Sequence, residues 1–408
     1  MSIREISFHN EALIFIENRI KDDKYRGLES SQHNRYNMSK IVDILKLLNK
    51  YSPNQALLAI RNQDIRKRPA NTEEEYIYAK FCDEAKNIAG IGTQDAMRKN
   101  IFVDLHRMGL INRYDKNKTA SDPYSKKNIK FVSLSNQGLK LIESKNVLDQ
   151  YFIFSKGIDN LLGGYIDKII KILRDETNNI NHVSFDEYMF FVSAIGTITS
   201  FNISTGEAAD LIIKYRTLTP IQRRSVIAVL KSEMDPKKNL GSKTKKRDFH
   251  NWSNKIAQIF LLLNQTVYFE VRGEQLVLRE NTGIFDKGDK KLSRSLNEKF
   301  LYFKEHSVEK TSGYELHHVI PLSWSESKHH FKMLDKWENM VYIDGYSHAQ
   351  ITQNSNKNVI LETDHNNIRL SDYSGNEVYL EYNDNILYKL SKQSLIKNYN
   401  FELLKVIN

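Results

Sequence analysis

Across 408 residues there is a single cysteine, Cys82, and that scarcity constrains the architecture more than any other feature. An intrachain disulfide framework, a four-cysteine zinc ribbon and a thiolate-held iron–sulfur cluster are all excluded. Every domain must therefore be held by packed apolar side chains. Hydrophobic residues at 40% and aromatics at 11% supply the material and exclude a fully disordered or collagen-like chain. At ~150 residues per domain, the length calls for two to four compact units. The opening MSIREISFHNEALIF puts charges and a histidine where a signal peptide needs an unbroken apolar run, and the apolar stretch Ile259 to Leu263 is far shorter than a bilayer span. A cytoplasmic, reducing setting is expected, with no membrane partner.

The formal charge of +10, from 60 Lys+Arg against 50 Asp+Glu, suits a polyanionic partner such as nucleic acid. In the N-terminal third, Ser39 heads the run IVDILKLLNKYS, whose Ile41, Ile44, Leu45 and Leu48 recur at helical spacing up to Pro53. Asn71-Thr72-Glu73-Glu74-Glu75 heads a second helix that ends near Gly90 and Gly92, and a third is expected from Thr93 to Gly109. The strand-like LINRY, a polar loop around Pro123, the strand IKFVSLS and the helix NQGLKLIES follow. This order resembles a winged helix-turn-helix over about residues 40 to 145. The resemblance implies that the helix before the wing lies in the major groove, with Gln94, Arg98 and Lys99 meeting base edges of double-stranded DNA. A protein-binding or purely packing role is the alternative.

Residues 149–236 read as a helical domain without recognisable chemistry. The basic run Lys237, Lys238, Lys243, Lys245, Lys246 and Arg247 then leads into the helix NWSNKIAQIFLLL and the hairpin VYFEVRGEQLVLRE. That repeats the helix-then-wing order over 237–295. It is read either as a second DNA-contacting module, with Lys243, Lys246, Arg247, Asn251 and Lys255 on phosphates, or as a solvated linker. Residues beyond 357 read as two or three strands around the Ser374-Gly375-Asn376 turn, closed by a helix near LSKQSLIKNY.

Six of the twelve histidines lie between positions 306 and 348: His306, His317, His318, His329, His330 and His348. Within YELHHVIPLSWSESKHHFKMLDKWENMVYIDGYSHAQIT, the His pair is followed by Asn339 at 339 − 318 = 21 and by His348 at 348 − 339 = 9. A strand ending at the pair, a returning strand opened by Asn339 and a helix bearing His348 would form a ββα hairpin. Imidazole serves both as a ligand for a divalent ion and as a base near pH 7, which suits phosphodiester hydrolysis.

From about Tyr314 to Thr352 the chain resembles the HNH motif of the ββα-metal nucleases. The resemblance implies His317 as the first metal ligand, His318 as the general base, Asn339 as the residue that ties the hairpin loop, and His348 as the helix-borne second ligand. Many members staple the hairpin with cysteine-held zinc. Here packing of Val319, Ile320, Leu322, Trp337, Val341 and Ile343 must replace that staple, and no structural zinc is expected. Position 352, where some members carry a further histidine, is Thr. Two histidines completed by water and phosphate oxygens point to Mg²⁺, with Mn²⁺ or another divalent ion as alternatives. Adjacent strand residues face opposite sides, so His317 and His318 reach one phosphate only if the strand end is bent or looped. Glu315 is either an extra ligand or a strand-edge charge. His329 and His330 are assigned to a solvated loop or a phosphate contact.

The expected fold is α+β and multidomain. A winged-helix DNA-recognition domain (1–148), a helical domain (149–236) and the possible second winged-helix-like module (237–295) precede an HNH nuclease domain with a C-terminal β-hairpin extension (296–408). Recognition and cutting separated along the chain resemble a type II, IIS-like restriction endonuclease. The resemblance implies a homodimer or sequential nicking on DNA, and a cognate DNA methyltransferase acting on the same site. The alternatives are a modification-dependent or homing-type nuclease and a DNA-binding regulator with an inactive nuclease domain.

Overall fold

The computed structural model describes residues 2–21, 38–61, 69–90, 94–125, 128–145, 147–175, 177–196, 202–237, 248–279, 283–287, 290–353, 360–371 and 377–407. The chain divides into two compact units, Met1–Leu278 and Arg279–Asn408. Among the described residues, no helix is long and apolar enough to cross a membrane.

The first unit opens with α1 (Glu11–Lys21) and α2 (Met38–Tyr51), whose Ile41, Ile44, Leu45 and Leu48 are buried. The short strand β1 (Leu58–Ala59) precedes α3 (Glu73–Ala89). Thr72 caps α3 by accepting from the Glu75 N–H at 3.3 Å, and Gly90 ends it at a φ of 70°. Then α4 (Gln94–Ala96), a π-helical turn (Met97–Ile101) and α5 (Phe102–Arg107) run on without a break. Strands β2 (Ile111–Tyr114) and β3 (Phe131–Leu134) complete an antiparallel sheet in the order β1-β3-β2, and α6 (Asn136–Glu143) follows. Gly138 is required in α6, because a Cβ there would lie 2.1 Å from the Leu110 carbonyl oxygen.

Helices α7 (Val147–Leu161) and α8 (Tyr165–Arg174) lead to the two-residue strand β4 (Val183–Ser184). After it come α9 (Phe185–Phe190), α10 (Thr205–Arg216) and α11 (Pro220–Glu233). Next are α12 (Phe249–Leu263) and the hairpin β5 (Phe269–Arg272) and β6 (Gln275–Leu278). β4 joins that hairpin through the Val183–Leu276 pairing. The residues read as a module over 237–295 are thus shared: α12 and its hairpin belong with the preceding helices, and the strand pair β7 (Gly283–Lys287) and β8 (Lys290–Arg294) belongs to the second unit.

In the second unit, α13 (Leu296–His306) precedes the strand β9 (Tyr314–His318). The connection to the returning strand holds α14 (Lys328–Leu334) and a tight turn over Trp337–Asn339. Strand β10 (Met340–Asp344) pairs antiparallel with β9, from Asp344–Tyr314 to Met340–His318, and α15 (Gly345–Gln353) packs on both. A three-stranded meander of β11 (Ile360–Asp364), β12 (Asn367–Ser371) and β13 (Glu377–Leu380) and the helix α16 (Gln393–Ile407) finish the chain. The Ser374-Gly375-Asn376 turn lies outside the described residues.

The hairpin core is larger than its own side chains. Val319, Val341 and Ile343 pack in one cluster with Leu361, Ile368, Leu370, Leu380 and Ile396 of the meander and α16. Ile320, Leu322, Phe331 and Leu334 of the connection pack on Leu403 of α16. The segment read as an extension therefore supplies much of the hairpin's apolar cover.

Candidate active site on the second unit

The geometry starts from Asn339, which is fully buried. Its side-chain oxygen accepts from the Ile320 N–H at 2.9 Å, and its amide donates to the carbonyls of Ile320 at 2.9 Å and Leu334 at 2.8 Å. One side chain thus closes both ends of the connection, and the Val319 N–H adds a bond to the Asn339 carbonyl at 2.8 Å. Such a buried amide is fully engaged, so the chain leaving β9 has one path.

Two imidazoles meet on one side of β9. The rings of His317 and His348 lie 5.3 Å apart, centre to centre, edge to face. His348 is carried there by α15, which Asp344 caps by accepting from the N–H groups of Tyr346 at 2.9 Å and Ser347 at 3.0 Å. Glu315, two residues before His317 and so on the same face, places its carboxylate 3.1 Å from His348 Nδ1. Among the described residues, the buried His317 Nε2 has no hydrogen-bond partner. Burial, with the nearby His348 and His318, pushes the His317 pKa down to about 3, so its ring is neutral at pH 7 and keeps a lone pair to give.

His318 stands apart from this pair. The β9–β10 pairing stays regular through His318, so its side chain takes the opposite face from His317. There its Nε2 lies 3.2 Å from Asp335 Oδ1. The bend expected at the His pair is absent from β9 itself. Among the described residues β10 is the only strand hydrogen-bonded to β9, so the other edge of β9 has no strand partner.

A metal would fit the first pair in part, because a neutral, buried imidazole nitrogen beside a second imidazole has the donor chemistry a divalent cation takes. Among the described residues, no group of three His, Cys, Asp or Glu side chains is placed to hold a metal by itself. The protein would therefore supply two nitrogens, with water and phosphate oxygens completing the shell.

Other sequence-chosen residues are placed as follows. His329 and His330 lie on α14, not in a loop, because Ser327 accepts from the His330 N–H at 3.0 Å and starts a helix. His306 is buried against Tyr302 and accepts from the Lys389 N–H at 3.1 Å. In the first unit, Gln94 is only 4% exposed and its carbonyl accepts from Tyr78. A side chain so buried does not reach a base edge, which corrects its assignment to DNA reading. Arg98 and Lys99 each lie 3.2 Å from Asp95. Asn251 is exposed and bonds to Asp248 at 2.6 Å, and Lys255 is half-buried on α12. Lys243, Lys246 and Arg247 lie outside the described residues. Asp335 escaped the sequence reading: a single aspartate in MLDKWEN carries no spacing signal.

Comparison with protein families adds two matches. Residues 37–145 match the type IIS restriction enzyme MboII middle domain, and residues 295–407 match the type IIS restriction enzyme MboII C-terminal domain. The chain carries the middle and C-terminal domains of the MboII family. This gives it a restriction-endonuclease role, as a hydrolase acting on DNA. The MboII middle domain spans the β1-β3-β2 sheet and its helices, and the MboII C-terminal domain spans the hairpin, His317, His318, His348 and α16. Neither a curated protein nor a solved structure matches the chain.

Proposed function

We propose that the chain is a Mg²⁺-dependent, sequence-specific double-strand DNA endonuclease of bacterial restriction–modification, IIS-like in layout, cutting by HNH chemistry. The observation that carries this reading is the buried, unpartnered His317 Nε2 beside His348, on a strand–strand–helix unit whose loop Asn339 pins. Membership in a restriction-enzyme family supports DNA as the substrate. His317 and His348 hold the metal, which when bound stabilises charge on the scissile phosphate and the departing 3′ oxygen. His318 takes the proton of the attacking water. A phosphate at the open edge of β9 is flanked by side chains from both faces, which is how residues on opposite sides of one strand serve one phosphodiester.

The helices and β1-β3-β2 sheet over 38–143 act as a winged helix. Arg98 and Lys99 reach DNA from the helix before the wing, exchanging Asp95 for base edge or phosphate. One such nuclease site cuts one strand, so a homodimer or two successive nicks completes the break. A methyltransferase acting on the same site protects the host.

The test is digestion of a large unmethylated DNA by the purified protein, with Mg²⁺ and with EDTA, followed by sequencing of the ends. Mg²⁺-dependent fragments with 5′-phosphates at a fixed offset from a short motif are expected. Random nicks would remove the restriction assignment, equal cutting with EDTA would remove the metal, and cutting confined to methylated DNA would make the enzyme modification-dependent.

A further inference from the structure

We infer that Asp335 is the positioning residue for His318, fixing which ring nitrogen takes the proton. The inference rests on the reading of His318 as the base. Asp335 is 3% exposed, and a carboxylate this deeply buried is stable only when its oxygens are engaged. Each oxygen meets a donor. Oδ1 meets His318 Nε2 at 3.2 Å, and Oδ2 accepts from the main-chain N–H of Ser295, the residue that caps α13. The backbone of Asp335 is fixed as well. Its N–H bonds the Phe331 carbonyl at 2.9 Å, and the preceding Leu334 carbonyl is held by Asn339 at 2.8 Å. Asn339 thus acts on His318 along two routes, through the Ile320 backbone and through the seat of Asp335.

The consequence for the imidazole is specific. A carboxylate facing Nε2 stabilises the tautomer with its proton on that nitrogen, which leaves the lone pair on Nδ1. His318 then accepts the proton of water at Nδ1, and the charge that develops on the ring is met by a buried carboxylate already in place. An amide cannot substitute. Asparagine at 335 has one acceptor oxygen for two donors, so either His318 Nε2–H or Ser295 N–H loses its partner.

The experiment compares wild type, Asp335→Asn and His318→Ala on supercoiled unmethylated plasmid with Mg²⁺, in single-turnover nicking alongside DNA binding. Asp335→Asn is expected to lower the cleavage rate constant by about 100-fold or more, with DNA affinity changed by less than about threefold. Selectively ¹⁵N-labelled histidine, assigned by the signal lost in His318→Ala, is expected to show the wild-type proton on Nε2. A wild-type proton on Nδ1 overturns the inference whether or not the variant folds. Loss of activity in His318→Ala with full cleavage by Asp335→Asn overturns it while leaving the base assignment intact. Full cleavage by His318→Ala instead removes the base assignment, and this inference with it.

Discussion

The two faces of β9 carry the same pair of groups at nearly the same distance in different surroundings. On one face His318 and Asp335 are 3.2 Å apart with side chains only 10% and 4% exposed. On the other, His348 and Glu315 are 3.1 Å apart with 26% and 63% exposed. The buried pair sits in a medium that screens little, so its geometry is enforced and losing either member leaves an uncompensated partner. The exposed pair is bathed in solvent, and its carboxylate orients an imidazole cheaply and weakly. One strand therefore offers a rigid seat on one face and an adjustable one on the other.

The largest effect that can break this comparison is expected at the rigid seat. His318→Ala should lower cleavage by ~10²–10⁴-fold with DNA binding retained, and single-turnover assays retaining full rates would put the chemistry on the other face. Asn339→Ala comes next. It strands the Ile320 N–H and two carbonyls in the interior and should destabilise the second unit by about 3 kcal/mol; a denaturation midpoint equal to the parent's would show that the loop holds itself. The Arg98–Asp95 pair, with 21% and 35% exposure, lies between the two extremes. Arg98→Ala should weaken specific DNA binding by ~1–3 kcal/mol with relaxed preference at one base pair, whereas equal losses on all sequences would assign it to a phosphate. Glu315→Gln should have the smallest effect, below ~1 kcal/mol in stability and diminished further by salt. A loss as large as that of His318→Ala would make Glu315 a ligand.

How much of this was legible follows the same division. His317, Asn339 and His348 stand out by residue type and separation, and the structure brings the two imidazoles together and buries the amide in the loop, while the hairpin, the α15 helix and the alternation of the His pair follow from strand geometry. The edge of β9 without a strand partner did not. Nothing in a sequence tells which edge of a two-stranded hairpin is left unpaired. Asp335 stayed hidden because it arrives opposite β9 only after the connection folds back. Gln94 is chosen for its amide and its place near the start of the helix, and neither tells that the side chain turns inward to 4% exposure. His329 and His330 were read as loop residues although Ser327 sits where a helix cap belongs.

The cover that the meander and α16 place over the hairpin has a consequence for biosynthesis. During translation, β9, β10 and α15 leave the ribosome before Leu361, Ile368, Leu380, Ile396 and Leu403, whose side chains close their core. Until those residues emerge, Val319, Ile320, Val341 and Ile343 lack the later apolar neighbours against which they are buried in the finished unit. A chain interrupted before α16 is complete therefore lacks the cover against which the hairpin is buried.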